Sequence, residues 1–268
     1  RNSKMKKYLV IGNPIEHSLS PRLHNFWIKK NNIDAIYRKQ KLETDKLEDL
    51  ILKVKEKKIQ GVNVTVPFKN TIIPLLDKLS TEAQNTQSVN TIYLDNNETI
   101  GHNTDIDGFE LGIKKLKLNL SNKKVLILGA GGVVSSIIFA LNKMNVSEII
   151  ISNRTKEKAK KIKTLFPNIE VLDWGKIPDF DMIINATSLG LKNDDEIKLD
   201  YSNIKNNKFF YDIIYNPEKT KFLSKAEQSG NQVENGKMMF LYQAHQSFTV
   251  WHKIMPSIDQ ETIDFLNK

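Results

Sequence analysis

The stretch KKVLILGAGGVVSS, residues 123–136, reads as a buried strand, a glycine turn and the start of a helix. Gly129 permits the tight turn, and Gly131 lets the backbone approach a pyrophosphate. A helix starting near Gly132 then offers its free N–H groups and positive dipole end to that anion. Gly129, Ala130, Gly131, Gly132 and Val133 are therefore expected to line a dinucleotide. The usual third glycine is Val134 here, so the motif is a variant. A tight turn that binds nothing is the alternative, and the strand–turn–helix setting speaks against it.

The next strand, in SEIIISNRTKEKA, decides which dinucleotide. A carboxylate at its tip would accept hydrogen bonds from the ribose 2′-hydroxyl of NAD. The chain instead carries Asn153, Arg154 and Thr155, followed by Lys156 and Lys158. A guanidinium suits a 2′-phosphate in shape and charge, whereas a carboxylate would repel it. NADP is the expected cofactor. The alternative is that Thr155 only caps the next helix and Arg154 is solvated.

Outward from this point, strands and helices alternate in both directions. KYLVIG, AIYRKQKL and GVNVTV precede the motif, and SEIIISN, DMIINAT and KFFYDIIY follow it. The pattern restarts near residue 123, which implies two α/β domains. The first, residues 1–104, has a mostly parallel sheet and is expected to bind substrate. The second, residues 105–236, is a Rossmann-type dinucleotide domain. Residues 237–268 are purely helical and are expected to pack back on the first domain.

Composition narrows the classes. With 268 residues, 40% of them hydrophobic, the chain can bury substantial cores, and it has no apolar run of about 18 residues that could span a membrane. The absence of cysteine excludes disulfides, thiolate metal sites and a cysteine nucleophile, and fits a cytoplasmic protein. The net charge of +9 is mostly lysine interleaved with glutamate on helices, as in KVKEKK and KEKAKKIKT. That reads as a solvated surface rather than a nucleic-acid footprint. Met5 is the expected natural start, with Arg1–Lys4 an added stretch.

The first domain concentrates polar residues at strand tips, where open α/β sheets bind ligands. IGNPIEHSLSPRLHN, residues 11–25, crowds serines, prolines and histidines after an apolar strand. GVNVTVPFKN places Asn63 and Thr65 on one strand face with Lys69 beyond, and SVNTIYL puts Asn90 at a strand start or turn. GHNTDIDGF delivers Asn103, Thr104 and Asp105 just before a helix, where Thr104 or Asp105 could also be an N-cap. His17 and His24 read as structural. His245 and His252 are two helical turns apart, about 10 Å, too far to share a metal ion.

Together these segments resemble the shikimate dehydrogenase family. GNPIEHSLSPRLHN, GVNVTVPFK, SVNT, NTDIDG, GAGG, NRT, NATSLG, YDIIYNP and YQAHQSF occur in the family's order and spacing along nearly the whole chain. The resemblance implies NADPH-dependent reduction of 3-dehydroshikimate to shikimate on the route to aromatic amino acids, by a monomer or homodimer. It implies that Ser18 and Ser20 donate to the substrate carboxylate together with Tyr215. Asn63, Thr65, Lys69, Asn90, Asp105 and Gln243 would surround the ring, with Lys69 and Asp105 catalytic. Thr187 and Ser188, Ile213, Gly236 and Met239 would join the cofactor side. Met238 replaces a glycine the family often carries there. A quinate or dual quinate/shikimate dehydrogenase and a non-catalytic metabolite sensor are the rival readings; an intact Lys69/Asp105 pair argues against the sensor.

Overall fold

A computed structural model of the chain describes residues 5–192 and 194–268. The expectation about Arg1–Lys4 lies outside the described residues. The chain forms two compact units, one running to Gly108 and resuming at Leu241, the other from Phe109 to Phe240.

In the first unit, β1 (Lys6–Gly12), β2 (Ala35–Lys41), β3 (Gly61–Val64), β4 (Lys78–Leu79), β5 (Thr91–Asp95) and β6 (Glu98–His102) form one sheet in the order β2-β1-β3-β5-β6-β4. The β1 pairs with β2 and β3 are parallel, as is β4 with β6, while β5 runs antiparallel to both β3 and β6. Alternating strand and helix patterns did not reveal the β5–β6 hairpin. Its turn is Asn96-Asn97, with φ of 49° and 62°. A two-residue hairpin turn needs positive φ at both positions, which asparagine tolerates best after glycine.

Helices α1 (Ser20–Lys30), α2 (Leu47–Lys55) and α3 (Thr81–Thr86) connect these strands. Leu47, Leu50, Ile51 and Val54 are the buried stripe of α2, spaced i, i+3, i+4 and i+7, and pack with Ile11, Val62, Val64 and Ile92. Each such side chain contributes about 1.5–3 kcal/mol on burial, so charge at any of them would unseat the helix. From the C-terminal part of the chain, Trp251 donates through Nε1 to the Ile92 carbonyl at 3.1 Å. It lies where a Cβ on Gly61 would be, so Gly61 makes room for it.

The second unit holds β7 (Lys124–Leu128), β8 (Glu148–Ser152), β9 (Glu170–Leu172), β10 (Met182–Asn185), β11 (Phe209–Asp212) and β12 (Gln232–Glu234). These pair in parallel in the order β12-β11-β10-β7-β8-β9. This is the doubly wound order, whose direction reverses between β7 and β10, and ligands bind beyond the strand ends at such a reversal. Helix α5 (Gly132–Lys143) follows β7, α6 (Lys156–Leu165) follows β8, and α7 (Lys221–Gln228) lies between β11 and β12. Val134, Ile137, Ile138 and Leu141 bury the inner face of α5 completely.

The units change over inside two helices, α4 (Asp105–Lys115) and α8 (Lys237–His252), four residues later than the expected boundaries at 104 and 236. The first turn of α4 is bonded to the β5 tip through Thr104 and Asp105, which ties it to the first unit. Gly236 donates to the Ile214 carbonyl at 3.2 Å, which holds the start of α8 in the second. The last helix, α9 (Gln260–Leu266), packs on α1 through a Phe26–Phe265 stack at 4.5 Å. Among the described residues, no helix is long and apolar enough to cross a membrane.

Candidate active site

The reversed direction of β5 builds the first site. Asn63 of β3 faces Thr91 of β5, and Thr91 faces His102 of β6. Asn90, just before β5, therefore stands at the same sheet end as the segments leaving β3 and β6. Its backbone accepts from Val64 N at 2.8 Å and donates to the His102 carbonyl at 3.0 Å. Its side-chain oxygen accepts from Thr104 N at 2.8 Å, and its Nδ2 donates to Thr104 Oγ1, Asp105 Oδ1 and Gln243 Oε1 at 2.8, 3.3 and 3.4 Å. Asn90 is thus a buried hub rather than a turn residue.

Lys69 Nζ donates to Asp105 Oδ2 at 2.6 Å, with the two side chains only 13% and 8% exposed. Neither Thr104 nor Asp105 caps α4. Asn103 Oδ1 accepts from Asp105 N at 2.9 Å and Ile106 N at 3.3 Å, which leaves the Asp105 carboxylate to Lys69 and Asn90. A lysine so placed offers a positive field and a proton to an oxygen, and a carboxylate that fixes its direction. Helix α8 supplies Gln243 and also Ser247, whose hydroxyl lies 2.7 Å from Thr91 Oγ1 and 3.2 Å from Thr104 Oγ1. Ser247 lies within the YQAHQSF motif, and its period-four spacing from Gln243 puts both on one helix face.

Asn63 is tied into the sheet by its own side chain. Its Oδ1 accepts from Tyr37 Oη at 2.7 Å, and its Nδ2 donates to the Asn90 carbonyl, Thr91 Oγ1 and Ser247 Oγ at 3.0, 3.3 and 3.1 Å. These bonds hold the amide inside the sheet, so Asn63 also positions the hub, with one lone pair of Oδ1 left over. Thr65 Oγ1 donates to the Ile11 carbonyl at 2.7 Å and keeps lone pairs for a ligand hydroxyl. At the β1 tip, Ser18 Oγ accepts from Ser20 N at 3.2 Å, fastening the start of α1. The Ser18 hydroxyl proton remains available for a carboxylate. His17 is exposed, and His24 is fully buried against Tyr37 in a 4.2 Å stack. Burial pushes the His24 imidazole down to about 3.

In the second unit, Gly129 has φ of +121°, and a Cβ there would strike the Ala186 carbonyl. At Gly131, the N-cap of α5, an added Cβ would meet nothing within 4 Å. This is the open cradle a pyrophosphate needs at a helix N-terminus, so the residues present fit a dinucleotide. Val134, in place of the third glycine, is fully buried in α5.

Across the reversal, Thr187 is held by Asn185, whose Oδ1 accepts from Thr187 N at 2.9 Å and Oγ1 at 2.6 Å. Asn185 Nδ2 donates to the Leu189 carbonyl and to Asp212 Oδ1 at 3.0 and 3.1 Å. Asp212 accepts from Ile214 N at 3.1 Å and Thr220 Oγ1 at 2.7 Å. One buried network therefore shapes the loops carrying Thr187, Ser188, Ile213 and Tyr215. Burial raises the Asp212 carboxyl to about 6 despite those donors. Tyr215 stacks on Phe240 at 4.3 Å. A Cβ on Gly236 would collide with the Ile213 carbonyl, so Gly236 serves a close backbone approach. Met239 is buried beside Gly112 of α4.

At the β8 tip, Thr155 occupies the N-cap of α6 without a side-chain cap bond, which frees its hydroxyl. Asn153 Nδ2 donates to the Thr155 carbonyl at 2.9 Å. Arg154 is not merely solvated: its guanidinium lies over the Trp174 ring, 5.8 Å from the centroid. No cluster of metal-ligating residues occurs among the described residues.

A doubly wound unit with a pyrophosphate cradle, together with a unit bearing a desolvated Lys–Asp pair, defines a nicotinamide-dependent oxidoreductase. Comparison with known proteins names the family. Residues 10–92 match the shikimate dehydrogenase substrate binding domain, and residues 110–217 match shikimate / quinate 5-dehydrogenase. The NADP(+) shikimate dehydrogenase of Pelagibacter ubique is 58% identical over 262 residues, covering 98% of this chain and 99% of the relative. The Aquifex aeolicus shikimate dehydrogenase structure superposes with a TM-score of 0.89 at 35% identity, covering 100% and 99% of the two chains. The Thermus thermophilus enzyme, solved with NADP(H) and shikimate, gives 0.86 at 28% identity and 98% coverage of each. The chain belongs to the shikimate dehydrogenase family. It is an oxidoreductase that interconverts 3-dehydroshikimate and shikimate with NADP in aromatic amino acid biosynthesis.

Proposed function

We propose that Lys69 and Asp105 run this reaction. The observation that carries the reading is the 2.6 Å Lys69–Asp105 pair, nearly buried and braced by Asn90. Bound NADPH supplies a hydride to the ketone carbon. Lys69 then stabilises the negative charge growing on the ketone oxygen and hands it a proton, and Asp105 holds the ammonium in place and shares its charge. Asn90, Thr65 and Gln243 orient the ring hydroxyls, with Asn63 behind them as a brace. Ser18 and Ser20 donate to the carboxylate.

On the cofactor side, Gly129 to Val133 cradle the pyrophosphate, and Asn153, Arg154 and Thr155 meet the 2′-phosphate. Thr187, Ser188, Ile213, Gly236 and Met239 line the remainder. The protein works in the cytoplasm without nucleic acid. The test is a spectrophotometric assay at 340 nm with each pairing of 3-dehydroshikimate or 3-dehydroquinate with NADPH or NADH. Fastest turnover with 3-dehydroshikimate and NADPH is expected. Preference for 3-dehydroquinate would transfer the site to the quinate branch of the family.

A further inference from the structure

The segment after β9 carries none of the expected site residues, yet its Trp174 meets Arg154 at the tip of β8. Trp174 is half-buried and packs against the apolar core of the second unit, which includes Phe180, Phe210 and Leu126. Its ring is therefore a fixed surface. Arg154, exposed at the start of α6, lays its guanidinium over that surface at 5.8 Å. The neighbouring Asp173 holds Lys156 at 2.6 Å, so the same segment restrains two cations of one cluster. An exposed arginine alone samples many rotamers, and a ligand must order it on binding. An aromatic face within about 6 Å of a guanidinium orders it beforehand.

We propose that Trp174 is a positioning residue for cofactor choice: its indole face holds Arg154 ready for the 2′-phosphate of NADPH. The inference rests on the reading of Arg154 as the 2′-phosphate contact. On this proposal Trp174 acts on the cofactor through Arg154 alone. Its removal therefore affects the phosphorylated cofactor and not its unphosphorylated counterpart.

The experiment is a double-mutant cycle on Trp174 and Arg154, read as kcat/KM for NADPH relative to NADH. Titration calorimetry with adenosine 2′,5′-bisphosphate accompanies it. Trp174→Leu keeps apolar packing but lacks a π face. It is expected to lower the NADPH/NADH ratio by about 2- to 5-fold, the strength of an exposed cation–π contact, and to weaken the bisphosphate by the same factor. Trp174→Phe, which retains a ring, should restore most of the ratio. In an Arg154→Ala background, Trp174→Leu should change the ratio no further. The proposal is overturned if Trp174→Leu weakens both cofactors equally, or if its effect adds in full to that of Arg154→Ala. An unchanged ratio in Arg154→Ala alone would instead remove the reading of Arg154 on which the proposal stands.

Discussion

Lys69 Nζ and Asp105 Oδ2 lie 2.6 Å apart, and the second carboxylate oxygen of Asp105 takes a hydrogen bond from Asn90 at 3.3 Å. The lysine thus points where a residue from another strand tip, itself fixed by a third, directs it. Asp105→Asn keeps the shape and removes the charge that fixes the ammonium. The expected result is a fall in kcat of about 100-fold or more, within the range for loss of an acid–base or electrostatic group. Steady-state kinetics on the folded variant checks it, and wild-type kcat would remove Asp105 from the reaction.

The two serines of the β1 tip should separate. Ser18→Ala and Ser20→Ala should each raise KM more than they lower kcat, because a carboxylate remote from the ketone is bound alike in ground and transition states. Only Ser18 also fastens the α1 start, through Ser20 N at 3.2 Å. Ser18→Ala should therefore lose about 0.5–1.5 kcal/mol of stability in denaturant titration, the net worth of one hydrogen bond, while Ser20→Ala loses less. Unchanged KM in both variants would make this tip a plain structural turn.

What the sequence made legible and what it hid follow from the range of the interactions. Lys69, Asp105 and the Gly129–Gly132 turn sit in motifs whose chemistry is local, so residue type and spacing point to them. Asn63 lies in such a motif too, but its amide also bonds Tyr37, Thr91 and Ser247, partners up to 184 positions away. No periodicity reports that. Asn103 as the α4 cap was hidden because Asn, Thr and Asp stand side by side there, and any of them can cap. The Asn96-Asn97 turn went unread because alternating strands and helices pointed to parallel pairing, whereas β5 and β6 pair antiparallel. Trp174 becomes visible only when β9 is placed beside β8.

His24 gives the first unit an acid limit. Its ring nitrogens have no hydrogen-bond partner, and burial, reinforced by His252, lowers its pKa from 6.5 to about 3. Between those values the unfolded chain binds a proton that the folded chain refuses. Stability from this group is therefore full above pH 6.5 and falls as the pH drops toward 3, by up to about 1.4 kcal/mol per pH unit. His252, lowered to about 4, acts with the same sign. His24→Phe keeps a ring against Tyr37 and should flatten this slope when denaturation midpoints are measured from about pH 7 to about pH 4. An unaltered slope would contradict the assignment.

Cofactor choice should reside at the β8 tip. Arg154→Ala removes a charge-assisted pair worth roughly 1.5–3 kcal/mol, and kcat/KM for NADPH should fall about 10- to 150-fold with NADH nearly unaffected. Adding Asn153→Asp should shift preference further toward NADH, since a carboxylate repels the phosphate and accepts from a free 2′-hydroxyl. Equal losses with both cofactors would mean that Arg154 has no part in the choice.

The most direct test of the whole account is Lys69→Ala, with kcat measured at 340 nm and shikimate affinity measured by titration calorimetry on the same folded sample. A lysine acting on charge that develops only in the transition state predicts a kcat reduced by about 100-fold or more, with shikimate bound nearly as before. Near-normal kcat in the folded variant would contradict the assignment of the Lys69–Asp105 pair as the reaction centre.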